Sequence, residues 1–281
     1  MKTIAYLGPE KTNTHLAAQK RFGRSVRYLH APTVEEVFRL VEREKVQLGV
    51  VPIENSLEGA VTYTLDRFID FKRSPVRIHG EMDLPIQHCL ILKRGTLPEK
   101  IRVVYSHPQA LGQCREWLAK HLPKTVSHET SSTAEAVERL LRKDALWDSG
   151  ERAAIGRQEL AMGGGLKALH IPVPHENRTR FLILGLGNPK RGRCNKTSLL
   201  FALKDKPGAL HDALVPFKRC GINLTKIESR PSKRKAWEYL FFIDFEGHES
   251  EPSVKRALAA LRVSTSDFQM LGSYPIGNSG S

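Results

Sequence analysis

The pattern of apolar and polar positions along the first 185 residues predicts strands that alternate with helices. Short apolar runs predict strands, and apolar residues spaced by three and four predict helices. The predicted strands cover residues 4–7, 26–31, 48–51, 76–81, 87–92, 102–105, 125–129, 153–156 and 181–184, and the predicted helices cover 14–22, 33–44, 110–121 and a segment from 131. This alternation indicates an α/β fold, and its repetition indicates two lobes of similar design with a cleft between them.

The last third of the chain has a different order of elements. Residues 187–193 are rich in Gly, Pro and charge and predict a linker. The elements after it are predicted in the order βαββαβ, which is ferredoxin-like. The predicted strands cover 196–203, 224–229, 237–245 and 268–273, and the predicted helices run from the turn at 205–210 to about 219 and over 252–263. We therefore expect a two-lobed domain over 1–186, a linker over 187–195, an α+β domain over 196–274 and a frayed tail over 275–281.

Composition places the chain among globular proteins. It has 281 residues, of which 40% are hydrophobic and 26% charged. No apolar run approaches a membrane span, and the N-terminus predicts a strand and not a secretory signal. The four cysteines are widely scattered, which indicates reduced thiols in a cytoplasmic protein and neither a disulfide framework nor a zinc site.

The formal net charge of +14 admits a nucleic-acid partner. Lys and Arg are spread along the chain, however, and the densest runs, 190–193 and 233–235, fall in the linker and in a turn. The chain also lacks aromatic residues interleaved with a basic surface, so the charge favours attraction of anionic metabolites over nucleic-acid binding.

Polar residues gather where predicted strands end. Glu176 to Arg180 come just before the apolar run at 181–184, with Thr179 between two arginines that suit carboxylates. Asn55 and Ser56 follow the third strand, where they suit a carboxylate or hydroxyl ligand and equally suit a plain turn. Thr12 and Thr14 follow the first strand, where each can cap a helix or contact a ligand. Together these residues suggest a site for a dianion with a hydroxyl group.

Common catalytic patterns are missing from the sequence. We find no nucleophile elbow, no phosphate-binding loop and no metal-ligand spacing. Gly163-Gly164-Gly165 lacks the preceding strand of a dinucleotide site. His107 precedes Pro108 at a strand end, and we expect it to support the site by hydrogen bonding.

Four motifs resemble those of prephenate dehydratases in order and spacing. They are Gly8-Pro9-Glu10 with Thr12 and Thr14, Val51-Pro52-Ile53-Glu54-Asn55-Ser56 with Gly59, Ser106-His107-Pro108-Gln109-Ala110-Leu111, and Asn177-Arg178-Thr179-Arg180-Phe181. The resemblance covers nearly the whole chain. It implies a two-lobed fold similar to periplasmic binding proteins, and the conversion of prephenate to phenylpyruvate with loss of water and carbon dioxide, without any cofactor.

The resemblance also implies roles for individual residues. Thr179 would assist departure of the ring hydroxyl. The substrate's two carboxylates and hydroxyl would be held by Thr12, Asn55, Ser56, Ser106, Gln109, Arg178 and Arg180. One motif departs from the family pattern, which has a glycine and an aromatic residue where this chain has Lys11 and Asn13. Lys11 could add a charge beside a substrate carboxylate or point to solvent, and arogenate stays open as the substrate.

The C-terminal segments resemble an ACT regulatory domain. The resemblance implies that L-phenylalanine binds between subunits of a homodimer or homotetramer and inhibits the enzyme. The residues implied for this effector site are Gly208, Ala209, Leu210, Asn223, Leu224, Glu228, Ser229 and Arg230. A ligand sensor without catalysis is the alternative, and Thr179 between its two arginines argues against it.

Overall fold

The computed structural model describes residues 1–70, 74–142, 151–162, 165–172, 176–232 and 238–277. Parts of some predictions lie outside these ranges: two glycines of the triplet at 163–165, the basic turn at 233–235, the start of the strand from 237, and the tail from 278. The described elements alternate between strand and helix up to residue 186 and then follow the order βαββαβ, so the predicted fold class is confirmed.

The described strands are β1 (Thr3–Leu7), β2 (Arg27–Ala31), β3 (Leu48–Asn55), β4 (Gly59–Ala60), β5 (Val76–Pro85), β6 (His88–Lys93), β7 (Val103–Ser106), β8 (Val126–Glu129), β9 (Arg152–Gly156), β10 (Leu166–Ile171), β11 (Arg178–Leu186), β12 (Asn195–Leu203), β13 (Leu224–Pro231), β14 (Tyr239–Glu246) and β15 (Thr265–Pro275). The described helices are α1 (Asn13–Phe22), α2 (Val34–Glu42), α3 (Thr62–Asp70), α4 (Pro108–Gln113), α5 (Arg115–His121), α6 (Thr133–Leu141), α7 (Ala209–Arg219) and α8 (Pro252–Ser264).

The chain divides into two compact units. The first comprises residues 1–9, 14–84 and 179–281, and the second comprises 10–13 and 85–178. In the first unit, one described sheet has the order β2-β1-β3-β11-β5, with β4 beside β3, and another has the order β13-β14-β12-β15. The second unit holds the sheet β10-β6-β9-β7-β8. The C-terminal sheet thus belongs to the same compact unit as the sheet of β1 and β3.

Local sequence explains the start of α2. Thr33 accepts a hydrogen bond from the backbone N–H of Glu36, as the capping box predicts. Val34, Val37, Phe38 and Val41 then form one buried face of the helix. The predicted helix over 110–121 differs from the structure, because α4 ends at Gln113 and α5 begins at Arg115. The helix α3 and the strand β10 were not predicted.

Two strands are longer than their apolar runs. The strand β3 was expected to end at Val51, but it continues to Asn55, and β11 begins at Arg178 before the apolar run. The reason is that β3 and β11 pair antiparallel through their polar ends, with Asn55 opposite Thr179 and Glu54 opposite Arg180. Glu54, Asn55, Thr179 and Arg180 therefore lie within the sheet, and Ser56 begins the turn after it.

The C-terminal sheet is covered on both faces. On one face, Phe201, Phe217 and Phe245 pack with residues of α7 and α8. The other face joins a core with α2, α3 and the first sheet, in which the ring of Phe68 lies 5.1 Å from that of Phe38 and 6.4 Å from that of Phe242. This shared apolar core docks the C-terminal domain on the first sheet.

Glycine permits a close approach of two backbones at this junction. A Cβ atom at Gly272 in β15 would lie 2.3 Å from the backbone oxygen of Ile78 in β5. A change of side-chain rotamer cannot relieve such a contact, because the neighbouring atom belongs to the backbone of Ile78.

We predict that Gly272→Ala lowers the free energy of unfolding by about 1–3 kcal/mol through overpacking, measured by denaturant unfolding. Gly112→Ala is the matched control, since a Cβ there meets nothing within 4 Å in α4. It should leave stability unchanged or raise it by up to about 1 kcal/mol. Equal stability of the two variants would contradict the close docking of β15 on β5.

Candidate active site

A buried amide and a buried hydroxyl meet across β3 and β11. Asn55 is 6% and Thr179 is 8% exposed, and Nδ2 of Asn55 donates to Oγ1 of Thr179 over 3.0 Å. The antiparallel register sets them opposite each other. The structure thus joins two of the predicted site residues that are 124 positions apart.

The orientation of the Asn55 amide follows from its other hydrogen bonds. Its Oδ1 accepts from the backbone N–H groups of Leu57 and Glu58, at 3.0 and 3.2 Å. The oxygen end is therefore fixed in the turn after β3, and the NH₂ end faces Thr179. Because the hydroxyl of Thr179 accepts from Asn55, its own hydrogen is directed to another acceptor. The pair makes Thr179 a donor.

The neighbouring residues of the two strands point to the opposite face of the sheet. Successive side chains in a strand alternate between faces, so Glu54 and Arg180 leave the face of Asn55 and Thr179. The Nη2 atom of Arg180 lies 2.9 Å from Oε2 of Glu54 and 2.9 Å from Oδ2 of Asp244. Its Nη1 atom lies 3.1 Å from Oε2 of Glu81. We expected Arg180 to hold a substrate carboxylate, but in the structure its guanidinium binds three carboxylates of the protein.

These carboxylates also set the protonation of Arg180. Burial alone would lower the pKa of Arg180, but Asp244 and Glu81 together with weaker contributions raise it above its usual value. Burial and the same two carboxylates raise the pKa of Tyr274, which donates or accepts at Oγ of Ser198 over 2.7 Å. Arg180 is thus a permanent cation beside a neutral phenol.

The second unit holds four of the predicted substrate-binding residues. Ser106 is fully buried, and its Oγ donates to the backbone oxygen of Ile155 over 2.7 Å. His107 caps α4 by accepting from the N–H of Gln109 over 3.3 Å, in line with the supporting role that we expected. Arg178 pairs with the exposed Glu176 at 2.9 Å. The predicted substrate contacts of Thr12, Ser106, Gln109 and Arg178 stay predictions, as does that of the exposed Ser56 in the first unit.

One polar network in the second unit was missed. Oε1 of Gln113 lies 2.6 Å from Nε2 of His88 and accepts from Nδ2 of Asn177 over 2.7 Å. Asn177 directly precedes Arg178 in the sequence, and both His88 and Asn177 are buried. Asn177 belongs to the fourth motif, which was a signal for it, whereas nothing in the sequence points from Gln113 to His88.

Other reactive groups have no visible role. Burial raises the pKa of the Cys114 thiol to about 12 and also raises that of Cys89, so neither suits a nucleophile at neutral pH. Within the described ranges, no group of three His, Cys, Asp or Glu residues is arranged to hold a metal ion. None of the described helices is long and apolar enough to cross a membrane.

The C-terminal domain contains a cavity of about 640 Å³ at the start of α7. Gly208, Ala209 and Leu210 line it together with Leu203, Tyr239 and Phe241, and Asp205 and Glu238 add carboxylates. Asn223, Leu224, Glu228, Ser229 and Arg230 are not among its described lining residues. Of these, Ser229 pairs with Phe241 across β13 and β14, while Arg230 contacts Asp66 in α3 at 3.1 Å. This cavity therefore includes three of the eight predicted effector residues.

Comparisons with known proteins give a consistent result. The sequence profile described as prephenate dehydratase matches residues 4–189, and that of the ACT domain matches 197–263. The chain is 44% identical to a bifunctional chorismate mutase/prephenate dehydratase of Aquifex aeolicus over 97% of the chain and 73% of that protein. It is 36% identical to a prephenate dehydratase of Methanocaldococcus jannaschii over 98% of both chains. The crystal structure of an Arthrobacter aurescens prephenate dehydratase in complex with L-phenylalanine superposes with a TM-score of 0.87 at 33% identity, over 99% of this chain and 91% of that one.

The backbone explains why glycine is usual at the position of Lys11. Lys11 has a φ of 66°, in the left-handed region that a side chain disfavours, and it is exposed. Glu44, after α2, has a φ of 55° and the same kind of strain. The departure from the family pattern therefore costs backbone energy at Lys11, whatever its side chain contacts.

We predict that Lys11→Gly raises the melting temperature because glycine adopts a positive φ without strain. The free energy of unfolding should rise by about 1 kcal/mol or less, because glycine also increases the conformational entropy of the unfolded chain. Glu44→Gly is the control and should give a similar gain. If Lys11 also contacts the substrate, its variant alone will change the KM, and turnover will change less. A lower melting temperature for both variants would contradict the strain argument.

Proposed function

The chain belongs to the prephenate dehydratase family and carries an ACT domain behind its catalytic domain, and from this premise we propose how its own residues convert prephenate to phenylpyruvate. The observation that carries the proposal is the Asn55–Thr179 hydrogen bond, because it fixes a hydroxyl group as a donor. The enzyme has to accept a small dianion, hold the ring and assist the loss of a poor leaving group.

The reaction breaks two bonds between the ring and its substituents, and the ring itself stays intact. The bond from the ring to a carboxylate carbon breaks, carbon dioxide leaves, and the electron pair enters the ring. On the opposite carbon the bond to the hydroxyl oxygen breaks with its electron pair on oxygen, and the departing hydroxide takes a proton from solvent to become water. The formation of the aromatic ring supplies much of the driving force. No base is needed for a carbon-bound proton, and the steps need no metal or organic cofactor.

Thr179 acts on the departing oxygen. Its hydrogen bond to that oxygen becomes stronger as negative charge develops there, which lowers the barrier more than it stabilises the bound substrate. Threonine is a very weak acid, so we assign it hydrogen bonding and not full proton donation. Asn55 positions Thr179 and sets the direction of its hydroxyl.

The substrate carboxylates require other donors. We propose Arg178, Gln109, Thr12 and Ser56 for direct contacts, with Ser106 as a buried support at the end of β7. An arginine suits a carboxylate because its planar fork donates two parallel hydrogen bonds. Arg180 is the exception, because the protein's own carboxylates already surround its guanidinium.

We predict that Thr179→Val lowers kcat about 100-fold or more, the usual cost of losing one donor to a developing oxyanion. Valine keeps the volume and removes the hydroxyl. Thr179→Ser keeps a hydroxyl and should retain turnover within about tenfold. The measurement is phenylpyruvate formation from prephenate by the purified enzyme. Near-normal turnover of the valine variant would overturn the role of Thr179.

Asn55→Asp extends this test to the direction of the hydrogen bond. The new carboxylate can still accept from Leu57 and Glu58, so the turn and the fold should remain. It cannot donate to Thr179, which would then donate to it and lose its function toward the substrate. We expect a loss of kcat similar to that of the valine variant, and wild-type turnover would contradict the assigned polarity.

Two alternative functions predict different results when turnover and binding are both measured. If the chain prefers arogenate, then phenylalanine forms from arogenate faster than phenylpyruvate forms from prephenate. A ligand sensor would bind prephenate in calorimetry and convert neither substrate. We further propose that the enzyme acts in the cytoplasm, where its four free cysteines stay reduced.

We propose L-phenylalanine as the inhibitor that the ACT domain binds. The cavity at the start of α7 suits it, because Leu203, Leu210 and Phe241 offer apolar surface to the ring. Backbone N–H groups at the start of α7 suit its carboxylate, and Glu238 suits its ammonium group. Because the β13 residues of the effector motif lie outside this cavity, we propose that a second subunit supplies them in a dimer or tetramer.

We predict that Gly208→Ala weakens L-phenylalanine binding about tenfold, measured by calorimetry. Gly208 precedes α7 with a φ of 76°, and alanine there must strain or reshape the turn that lines the cavity. Gly221→Ala is the matched control, because Gly221 follows the same helix with a φ of 66° and a Cβ there meets nothing within 4 Å. Equal affinities of both variants and the wild type would contradict this location of the effector.

A further inference from the structure

A buried ion cluster joins β3 and β11 to the C-terminal domain. These strands carry Asn55 and Thr179, which we call the catalytic pair. We define the cluster by Glu54, Glu81, Arg180, Lys196, Lys226 and Asp244. Glu54, Glu81 and Arg180 belong to the first sheet, whereas Lys196, Lys226 and Asp244 belong to β12, β13 and β14 of the C-terminal sheet. Each acidic residue of the cluster contacts Arg180, and two of them also contact a lysine.

The cluster is closed and electrically balanced. Lys226 contacts Glu54 at 3.0 Å, and Lys196 contacts Glu81 at 2.6 Å. Three cations thus face three carboxylates. Apart from Glu54, which is 36% exposed, the side chains are between 7% and 14% exposed. Removal of one charge from such a cluster leaves another without its partner, which is much costlier than the loss of a surface ion pair.

The cluster lies one residue from the catalytic pair on both strands. Glu54 directly precedes Asn55, and Arg180 directly follows Thr179. The strand register pairs Glu54 with Arg180 as it pairs Asn55 with Thr179, and a bulge follows at Arg180 and Phe181. A shift of either charged side chain therefore changes the backbone from which a member of the catalytic pair projects.

We propose that Glu54 and Arg180 are positioning residues for the catalytic pair, and that the C-terminal domain holds them through Lys226 and Asp244. The geometry of Asn55 and Thr179 then depends on how the C-terminal domain is docked. A ligand of that domain can alter catalysis through the same ion pairs. This inference rests on the proposed roles of Asn55 and Thr179.

The test replaces the C-terminal partners and leaves the first sheet unchanged. Asp244→Asn removes a carboxylate from Arg180 but keeps the shape and an oxygen for Ser198, whose Oγ donates to Asp244 over 2.6 Å. We expect kcat to fall about tenfold, which corresponds to ~1.4 kcal/mol of the barrier, with KM within about twofold. The saturating effect of L-phenylalanine on kcat should shrink, while its binding in calorimetry stays within about threefold.

A second variant guards against a local defect at Asp244. Lys226→Gln removes the cation that holds Glu54 and should also lower kcat, and Lys226→Arg should restore most of it because the positive charge returns. Both variants act from β13 on Oε1 of Glu54, whereas Arg180 contacts its Oε2. Failure of the arginine variant to restore turnover would contradict the electrostatic role.

The matched control is Asp66→Asn. Asp66 in α3 pairs with Arg230 in β13, so this variant also removes an ion pair between the same two domains, but on a helix and not on the catalytic strands. The melting temperature should fall for Asp66→Asn and for Asp244→Asn, whereas kcat without L-phenylalanine should fall only for the latter. A merely structural role would move both variants alike.

The outcomes separate this inference from the proposed function. If Thr179→Val is inactive and Asp244→Asn has the wild-type kcat, only the positioning role is overturned. If Asp244→Asn raises KM and leaves kcat unchanged, the cluster serves substrate binding and the positioning role is also overturned. If Thr179→Val stays active, the catalytic assignment itself has failed.

Discussion

The antiparallel pairing of β3 with β11 is the constraint on which the rest of this structure depends. It brings residues from distant parts of the sequence to opposite positions, and the twofold alternation of side chains then divides them between two faces. One face receives Asn55 and Thr179, and the other receives Glu54 and Arg180. A slip of one residue would exchange these sets, so the register determines both the chemistry and the contact with the C-terminal domain.

Docking of the C-terminal sheet combines an apolar core with charges. The aromatic contacts of Phe68 supply affinity without direction, as hydrophobic packing does. The ion cluster adds direction, since its ion pairs form only where particular side chains of the two sheets meet. A buried cluster of this kind contributes little net stability, because desolvation offsets the attraction. Its contribution is therefore specificity of docking, which is what a regulatory domain needs.

The sequence allowed the fold class and the order of most elements, though not α3 or β10, to be predicted, and it pointed to the motifs of Asn55 and Thr179, because these depend on local periodicity and short motifs. It did not allow the face of Arg180 to be predicted. An arginine beside a catalytic threonine suggests a substrate carboxylate, and only the pairing with β3 and the approach of Asp244 show which carboxylates it meets. The contact of Gln113 with His88 was missed for the same reason, since both depend on tertiary pairing.

The two arginines of the motif thus answer different requirements. Arg178 lies in the second unit and is about one-third exposed, so a ligand carboxylate can compete with the exposed Glu176 for it. Arg180 has an exposure of 14% and contacts three carboxylates of the protein, so a substrate carboxylate would have to displace one of them. Such an exchange breaks one ion pair of the protein for each new one that forms. If Arg178 binds the substrate as we propose, the motif joins a residue for the ligand to a residue that contacts the regulatory domain, with Thr179 between them.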